Sequence, residues 1–330
     1  GAKFQMNNFL HELENAVINE NHKVTKEEAI QLYETEQASE LFVAADRIRK
    51  SCCTNSSSVC SIINAKMGKC GENCKYCAQS AHWKTSCQTT SIIQPQESIK
   101  FCERALENHV SRISLVTSGC GLSGKDFETA IENFKAIKEK LKDKIKLCAS
   151  LGILSFEQMQ ELKLAGVERY HHNIETGRNY FANICTTHSY NDRIQTILNA
   201  KKAGLEICSG GIIGLGESRE DRIDLALELR RLEVQSVPIN ILTPIKGTPL
   251  ENAEKISQEE ALRTISVFRF IMPSQTIRCA AGRKSLGNNG VDAFLAGANA
   301  LISGDFLTTP GSTNDEDISM LKKLGYRIES

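Results

Sequence analysis

The sequence predicts an α/β fold: a (β/α)8 barrel of the TIM type with an N-terminal helical extension. Short runs rich in β-branched and apolar residues recur eight times, at residues 59–65, 112–116, 145–150, 167–174, 205–212, 236–242, 276–281 and 300–303. Amphipathic stretches typical of helices alternate with them, at residues 125–140, 155–165, 190–203, 219–231, 258–272, 291–298 and 315–324. Eight such repeats favour a closed barrel over a doubly wound open sheet, which usually has about five to seven strands.

The N-terminal region precedes the first predicted strand. It contains two helical patterns, FLHELENAVI and TKEEAIQLYE. No linker or low-complexity segment follows it, so the sequence indicates one domain, with residues 1–51 as a helical extension and residues 52–330 as the barrel. We expect the extension to pack across the bottom or the side of the barrel.

Composition excludes several classes of protein. The 40 basic and 40 acidic residues cancel, so we expect no nucleic-acid partner and no membrane partner. No run of about 18 apolar residues occurs, and Glu12, Glu14 and Glu20 argue against a signal or transit peptide. The thirteen cysteines are odd in number and are not spaced as a secreted disulfide framework. These features favour a cytoplasmic protein whose thiols are available for metal.

Three cysteines follow the first strand, in KMGKCGENCKYCAQSAHWK: Cys70, Cys74 and Cys77. In a barrel this is the C-terminal face, where active-site loops lie. Three thiolates can bind three irons of a 4Fe-4S cluster and leave the fourth iron open to another ligand. A structural zinc site would need a fourth ligand, His82 or Cys87, and neither has a familiar zinc spacing. The triplet alone leaves zinc and plain buried thiols as alternatives.

The Cys-x3-Cys-x-aromatic-Cys loop, with Tyr76 before the third cysteine, resembles the radical S-adenosylmethionine enzymes. Within them the chain is similar to the biotin synthases, from about residue 58 to residue 326. The resemblance is carried, in this order, by GKCGENCKYCAQSAHWKT, YHHNIET, ICTTHSYNDRIQT, KKAGLEICSGGIIGLGE, SVPINILTPIKGTPL, RCAAGR and FLAGANALISGDFLTTP.

The resemblance implies a sulfur insertion. Dethiobiotin would become biotin after adenosyl radicals remove hydrogen from two unactivated carbons, with sulfur taken from a second, auxiliary iron–sulfur cluster. Such C–H bonds are too strong for side-chain acid–base chemistry, so the cofactor carries the difficult step. The resemblance also implies an electron donor such as flavodoxin or ferredoxin, and a homodimer. It says nothing of how the auxiliary cluster is rebuilt.

Side-chain alternation in the strands identifies candidate ligands for the auxiliary cluster. Cys60 on the first strand, Cys148 on the third and Cys208 on the fifth would point into the barrel. On the seventh strand the alternation places Arg278 inward and Cys279 among the outer apolar residues, although Cys279 stays open as a ligand. We therefore expect three cysteines and an arginine in one interior layer.

This set departs from the family pattern. The second strand has Ser114 where the family has cysteine, and Cys60 stands where the family has serine. Three inward thiolates suit a four-iron cluster, which we favour over a 2Fe-2S centre, although the latter stays open.

The resemblance assigns roles to further residues. Glu175 would bind the ribose of S-adenosylmethionine and Arg193 its carboxylate, which a guanidinium can grip with two hydrogen bonds. Asn173 and Asn240 would bind the ureido ring of the substrate, since an amide offers both donor and acceptor. Thr308 and Thr309 would contact the carboxylate tail of the substrate.

The glycine-rich segment GGIIGLGE does not have the spacing of a dinucleotide-binding motif. By resemblance it lies beside the adenine, which makes Gly210, Gly211 and Glu217 secondary cofactor-binding candidates. Cys120 follows the second strand at the mouth of the barrel and is a candidate for cluster or sulfur handling. His171 replaces a family asparagine, and its role is open.

Two other functions stay open at this point. Another radical S-adenosylmethionine barrel enzyme would share the first cluster but not turn over dethiobiotin. A zinc- or cluster-binding protein without catalysis would contain zinc instead of iron, or would not cleave S-adenosylmethionine.

Overall fold

The computed structural model describes residues 2–304 and 313–329. The strands are β1 Ser56–Ser57, β2 Val59–Lys66, β3 Arg112–Thr117, β4 Lys146–Ser150, β5 Val167–His171, β6 Glu206–Cys208, β7 Gly211–Ile213, β8 Ser236–Ile241, β9 Thr276–Cys279, β10 Ala300–Ile302 and β11 Arg327–Ile328. The helices are α1 Ala2–Asn19, α2 Lys26–Tyr33, α3 Ala38–Cys52, α4 Pro95–Glu107, α5 Gly124–Leu141, α6 Phe156–Leu164, α7 Arg178–Phe181, α8 Tyr190–Lys202, α9 Arg219–Arg231, α10 Gln258–Ile271, α11 Val291–Leu295 and α12 Asn314–Lys323.

Strands β2 to β10 form one closed parallel barrel with eight positions. The fifth position is shared by β6 and β7, which continue one another after a break of two residues. Strand β6 pairs with β5 and, through Cys208 and Ser236, with β8, while β10 pairs with both β9 and β2. The predicted (β/α)8 barrel is therefore confirmed, and all eight predicted strand positions are occupied.

The break in the fifth position depends on two glycines. A Cβ atom on Gly210 would lie 1.9 Å from the carbonyl oxygen of Pro238, and one on Gly211 would lie 2.2 Å from that of Glu175. The carbonyl of Gly210 accepts from the amides of Ile174 and Glu175, at 3.1 Å each. Only residues without a side chain allow this close approach of backbones, so the two glycines hold the barrel closed here.

The helices begin where serine predicts them. Ser155, Ser189 and Ser218 each accept a hydrogen bond from the amide three residues on, and so cap α6, α8 and α9. Helix α4 is not among the predicted stretches, although it fills the expected place between the first and second strands.

Three helices, rather than the two expected, precede the barrel. Helices α2 and α3 pack on its side, against α9 and α10, and α1 packs on α3. The hydroxyl of Tyr33 on α2 donates to Thr264 of α10 at 3.0 Å, and Arg263 of α10 donates to the carbonyls of Tyr33 and Thr35. The division of the chain at residues 51 and 52 stays a prediction.

The N-terminal end of the barrel carries a small second sheet. Strand β1, just before β2, pairs in parallel with β11, just after α12. This pairing joins the last described residues to the base of the first barrel strand. Within residues 2–304 and 313–329, none of the helices has both the length and the apolar character needed to cross a membrane.

We expect the Gly210→Ala substitution to destabilise the barrel, because the added methyl group would collide with the carbonyl of Pro238. The cost should be about 1–3 kcal/mol or more. Thermal unfolding followed by circular dichroism measures it. The control is Gly71→Ala, where a Cβ atom meets nothing within 4 Å. Equal unfolding temperatures of the two variants would contradict this account of the break.

Candidate active site

One cavity of about 390 Å³ opens at the C-terminal ends of the strands and continues into the barrel. Its mouth is lined by the three-cysteine loop, and its floor by side chains from the strands. Cys60 lies near the start of β2, six residues before Lys66, which corresponds to about 20 Å of extended strand. The cavity therefore has an upper and a lower set of thiols, separated by the depth of the barrel.

The upper set is Cys70, Cys74 and Cys77, and all three thiols line the cavity. Neither alternative fourth zinc ligand joins them: the ring of His82 lies 3.0 Å from the carbonyl of Gly71, and the thiol of Cys87 donates to a backbone carbonyl. Three thiols around one cavity, with room for a ligand beyond them, fit a 4Fe-4S cluster with one open iron better than a closed zinc site.

The cysteine loop is held by residues 184–188. The side chain of Asn73 donates to the hydroxyl of Thr186 at 2.6 Å and accepts from the amide of Thr186 at 2.9 Å. The hydroxyl of Thr187 donates to the carboxylate of Glu72 at 2.8 Å, and the amide of Lys75 donates to the carbonyl of Ile184. These bonds fix the loop before any cluster binds.

A second group of metal-type donors lies behind Cys74. The thiol of Cys185 is 3.7 Å from that of Cys74, and their hydrogen bond lowers the pKa of Cys185. His188 is close to Cys185, but its Nδ1 contacts the Glu72 carboxylate and its Nε2 accepts from Arg193 at 3.0 Å. Because both ring nitrogens are engaged, this group supports the loop and does not form a separate metal site.

Glu175 and Arg193 face the cavity together, with Glu175 Oε1 3.5 Å from Arg193 Nη1. The other carboxylate oxygen of Glu175 is buried and has no hydrogen-bond partner among the described residues. Glu175 also has a positive φ of 70°, a strained backbone for a side chain of this size. A buried acceptor without a donor is suited to bind hydroxyl groups of a ligand.

Asn173 and Asn240 also line the cavity. Asn240 is on β8, whereas Asn173 follows β5, which ends three residues earlier than the predicted strand. The Oδ1 of Asn173 accepts from the amide of Gly210 at 3.0 Å. Asn240 donates to the carbonyl of Gly211 and accepts from the amide of Ala281, at 3.1 Å each. These bonds fix the orientation of both amides and leave further donor and acceptor positions free for a ligand.

The lower set of thiols is Cys60, Cys148 and Cys208, which all line the same cavity, as the strand alternation predicts. Arg278 lines it too, whereas Cys279 belongs to the hydrophobic core outside the barrel interior. Ser114, paired in register with Cys148, points into the cavity, and its buried hydroxyl has no partner among the described residues.

Two further arginines lie among the lower thiols. Arg112 donates to the sulfur of Cys148 at 3.4 Å, and its side chain is 8% exposed. Arg169 donates to Glu206 at 2.8 Å, and the nearby Cys148 and Cys208 thiols help to raise its pKa against the effect of burial. The strand alternation that identified the inward thiols could have identified both arginines, since each occupies an inward position.

Cys208 is a thiol of the lower set whose pKa is lowered. Burial alone would raise its pKa, but His171, whose Nδ1 lies 3.3 Å from the sulfur, and the neighbouring arginines lower it to about 6. Cys208 in turn raises the pKa of His171 against the effect of burial. Each group therefore favours the charged form of the other, the thiolate of Cys208 and the imidazolium of His171.

The remaining candidates lie at the edge of the cavity or outside it. Tyr76 lines the cavity, and the exposed Cys120 lies at its mouth. Gly210, Gly211 and Glu217 are not among the lining residues, and the Glu217 carboxylate accepts from Arg222 at 2.6 Å and from two backbone amides. Thr308 and Thr309 lie outside the described residues.

Sequence reasoning missed Glu72 and His188, which link the cysteine loop to Arg193. The two residues are far apart in the sequence, and although each lies in a stretch that carries the family resemblance, nothing in either stretch links one residue to the other. Only the fold brings them together.

Two family models match the chain. Residues 65–229 match the radical SAM superfamily, and residues 238–327 match the biotin and thiamin synthesis associated domain. A curated relative from Clostridium tetani, named biotin synthase, is 48% identical over 327 residues, covering 98% of this chain and 100% of the relative. Biotin synthases from Fusobacterium nucleatum and Clostridium botulinum are 47% and 50% identical, over 99% and 92% of this chain and 98% and 95% of their own lengths.

Solved structures share the fold at lower identity. A methylornithine synthase superposes with a TM-score of 0.82 at 19% identity, covering 96% of this chain and 97% of that one. An FeFe-hydrogenase maturase superposes with a TM-score of 0.83 at 16% identity, covering 100% of this chain and 76% of that one. At these identities the likeness concerns the barrel alone.

We expect the His171→Phe substitution to raise the pKa of Cys208, which is about 6 in the unaltered protein. The new pKa should reach or exceed that of an ordinary thiol, about 8.5. Without the imidazolium, the buried thiolate loses its closest charge partner, so less thiolate is present near neutral pH. The rate at which a small alkylating reagent modifies Cys208, followed against pH by mass spectrometry in the iron-free protein, measures the shift. His82→Phe is the control. An unchanged midpoint in His171→Phe would contradict the pairing.

Proposed function

The chain belongs to the biotin synthase family of radical S-adenosylmethionine enzymes, and we propose that it inserts sulfur into dethiobiotin to form biotin. The observation that carries this proposal is the single cavity with three thiols at its mouth and three more on its floor. Family membership gives the enzyme S-adenosylmethionine and a 4Fe-4S cluster as cofactors, together with a small-molecule substrate and a redox partner.

When bound, the first cluster supplies the electron that cleaves S-adenosylmethionine to an adenosyl radical, and the auxiliary cluster supplies the sulfur. The protein binds and orients the reactants. Cys70, Cys74 and Cys77 hold three irons, with Tyr76 beside them at the cavity wall. The bonds between residues 184–188 and the cysteine loop keep the three thiols in place.

Arg193 and Glu175 bind S-adenosylmethionine. The guanidinium of Arg193 takes the carboxylate, and the free oxygen of Glu175 accepts from the ribose hydroxyls. His188 and the carbonyl of Asn173 fix the guanidinium, so its orientation does not depend on the ligand. The effect on the cofactor is indirect for Gly210, Gly211 and Glu217. Their backbone and side-chain hydrogen bonds shape the part of the cavity wall that contains Glu175.

Asn173 and Asn240 bind the ureido ring of dethiobiotin. Each is held by a backbone partner on one side and keeps donors and acceptors for the cavity, which matches a cyclic urea that both donates and accepts. Both lie between the upper and lower thiols, so the substrate carbons would face the adenosyl group from one side and the sulfur source from the other. Thr308 and Thr309 stay predicted contacts of the carboxylate tail.

Cys60, Cys148 and Cys208 hold the auxiliary cluster, which we propose to be of the four-iron type. The support is the number and charge of the groups. The three thiols share the cavity floor with three arginines (Arg112, Arg169 and Arg278), of which Arg169 also pairs with Glu206, and Ser114 offers a hydroxyl where the family has a cysteine. Arg278 is the catalytic candidate of this layer, since it faces the same cavity as Cys60 and Cys208.

Several finer expectations stay predictions of the sequence. They are flavodoxin or ferredoxin as electron donor, a homodimer, a cytoplasmic location, and a role for Cys120 at the cavity mouth. Partial desolvation of the sulfur at the cavity mouth, and then the neighbouring Glu72 carboxylate, raise the pKa of the Cys120 thiol to about 11, so Cys120 is a weak nucleophile at neutral pH.

We expect the protein to convert dethiobiotin to biotin when it is loaded anaerobically with iron and sulfide and supplied with S-adenosylmethionine and a reductant. Biotin and 5′-deoxyadenosine are quantified by mass spectrometry. Formation of 5′-deoxyadenosine without biotin would indicate another radical S-adenosylmethionine reaction. Binding of zinc without cleavage of S-adenosylmethionine would indicate a protein without this catalysis.

We expect Cys60→Ser to lose the auxiliary cluster and to keep the first one, because serine is a poor iron ligand and Cys60 is far from the mouth. Two four-iron clusters correspond to about eight irons per chain, against about six for a 2Fe-2S auxiliary centre. Iron analysis and Mössbauer spectra make the comparison. The control is Cys279→Ala, a buried thiol outside the cavity. An unchanged second cluster in Cys60→Ser would remove Cys60 from the ligand set, and a clean 2Fe-2S signature in the unaltered protein would reject the four-iron type.

A further inference from the structure

A second, smaller cavity lies at the N-terminal end of the barrel. Its volume is about 180 Å³, and its walls are strongly polar. They include two adjacent thiols, Cys52 and Cys53, hydroxyls such as those of Ser58 and Thr276, and the carboxylate of Glu329. Neither the family resemblance nor the proposed reaction uses this cavity, which we call the lower cavity.

The lower cavity is stacked beneath the auxiliary thiols. Ser58 lines it, and Cys60, two residues further along the same extended segment, lines the active-site cavity. Thr276 and Arg278 are related in the same way on β9. Two residues of strand span about 7 Å and return to the same face, so the lower cavity lies one inward layer below Cys60 and Arg278.

The side chain of Arg278 forms part of the partition between the two cavities, because it lines the active-site cavity and bonds to Ser58, which lines the lower one. The guanidinium of Arg278 donates to the carbonyl of Ser58 at 3.0 Å, to its hydroxyl at 2.8 Å and to the carbonyl of Leu301 at 2.8 Å. The partition is therefore polar and positively charged. A small anion that reached Ser58 would meet a cation, with the auxiliary thiols directly beyond it.

Cys53 has an unusual neighbour. Arg269 Nη1 donates to the Cys53 sulfur at 3.3 Å, and Arg269 is fully buried. Within the described residues, its other partners are backbone carbonyls and the side-chain amide oxygen of Asn299, and it forms no ion pair with a carboxylate. An anionic sulfur on Cys53 would give this buried cation its charge partner.

We propose that the lower cavity is a sulfur-acceptor site that refills the auxiliary cluster. Cys53 accepts a sulfur atom from a persulfide donor, and Cys52 helps to release it as hydrosulfide beneath Arg278. This inference rests on the proposed function, because only a sulfur store that is consumed in each turnover has to be refilled.

The chemistry balances in two steps. The Cys53 thiolate attacks the outer sulfur of a persulfide, R–S–SH, which gives Cys53–S–SH and releases R–S⁻. The Cys52 thiol then attacks the inner sulfur of Cys53–S–SH, which gives a Cys52–Cys53 disulfide and hydrogen sulfide. The transferred sulfur is reduced by two electrons, which come from the two thiols. A dithiol reductant, added only after excess persulfide has been removed, returns the pair to its starting state.

The experiment uses the protein loaded with both clusters. One turnover with dethiobiotin consumes the auxiliary sulfur, and cysteine persulfide carrying a heavy sulfur isotope is then added for a second turnover. Mass spectrometry follows heavy sulfur in biotin and on the peptide that contains Cys52 and Cys53. The variants are Cys53→Ser and Cys52→Ser, and Cys102→Ala is the control, because Cys102 is a buried thiol of α4 outside both cavities.

We expect all variants to complete the first turnover, since the lower cavity is not needed for it. In the unaltered protein and in Cys102→Ala, the extra sulfur appears on Cys53 and then in biotin. In Cys53→Ser both signals fall by about tenfold or more, because a hydroxyl does not attack a persulfide. In Cys52→Ser the extra sulfur accumulates on Cys53. Inorganic sulfide, which needs no acceptor thiol, should restore the second turnover in Cys53→Ser.

Equal refilling from persulfide in Cys53→Ser and Cys102→Ala would overturn the inference, and so would extra sulfur on other cysteines but not on Cys53. Loss of the first turnover in Cys53→Ser would also overturn it, because that loss would indicate a structural role. If the unaltered protein makes no biotin at all, the proposed function fails, and the sulfur found on Cys53 still decides the acceptor site by itself.

Discussion

Three arginine side chains inside the barrel, Arg112, Arg169 and Arg278, are the constraint on which the rest of the structure depends. A guanidinium cannot give up its proton in a protein, so each buried one needs an anion or a set of acceptors. Arg112 faces the sulfur of Cys148, and Arg278 is held by Ser58 beneath Cys60. These buried cations favour anionic sulfur in the interior, whereas an apolar interior would disfavour it.

The closed barrel determines how far these charged groups lie from the cysteine loop at the mouth. Its first strand keeps Cys60 about 20 Å of chain away from the loop that carries the upper thiols, and the asparagines lie between. Under the proposed function, a radical generated at the mouth and a sulfur source on the floor would act on one substrate from opposite sides. The glycines at the break in the fifth strand position make this possible, because they allow the barrel to close around the cavity.

Much of this could be predicted from the sequence, because strand alternation has a period of two and places each inward residue with certainty once the strands are known. It located Cys60, Cys148, Cys208 and Arg278. It did not reveal the bonds of Glu72 and His188, because these join segments more than a hundred residues apart. Nor did it reveal the lower cavity, whose walls come from separate segments of the chain that only the fold assembles.

The most direct test of the account is anomalous X-ray diffraction at the iron edge from crystals of the anaerobically loaded protein. The account predicts two iron sites in one barrel, one bound by Cys70, Cys74 and Cys77 and the other by Cys60, Cys148 and Cys208. A single iron site at the mouth, or a second site without the lower thiols as ligands, would contradict it.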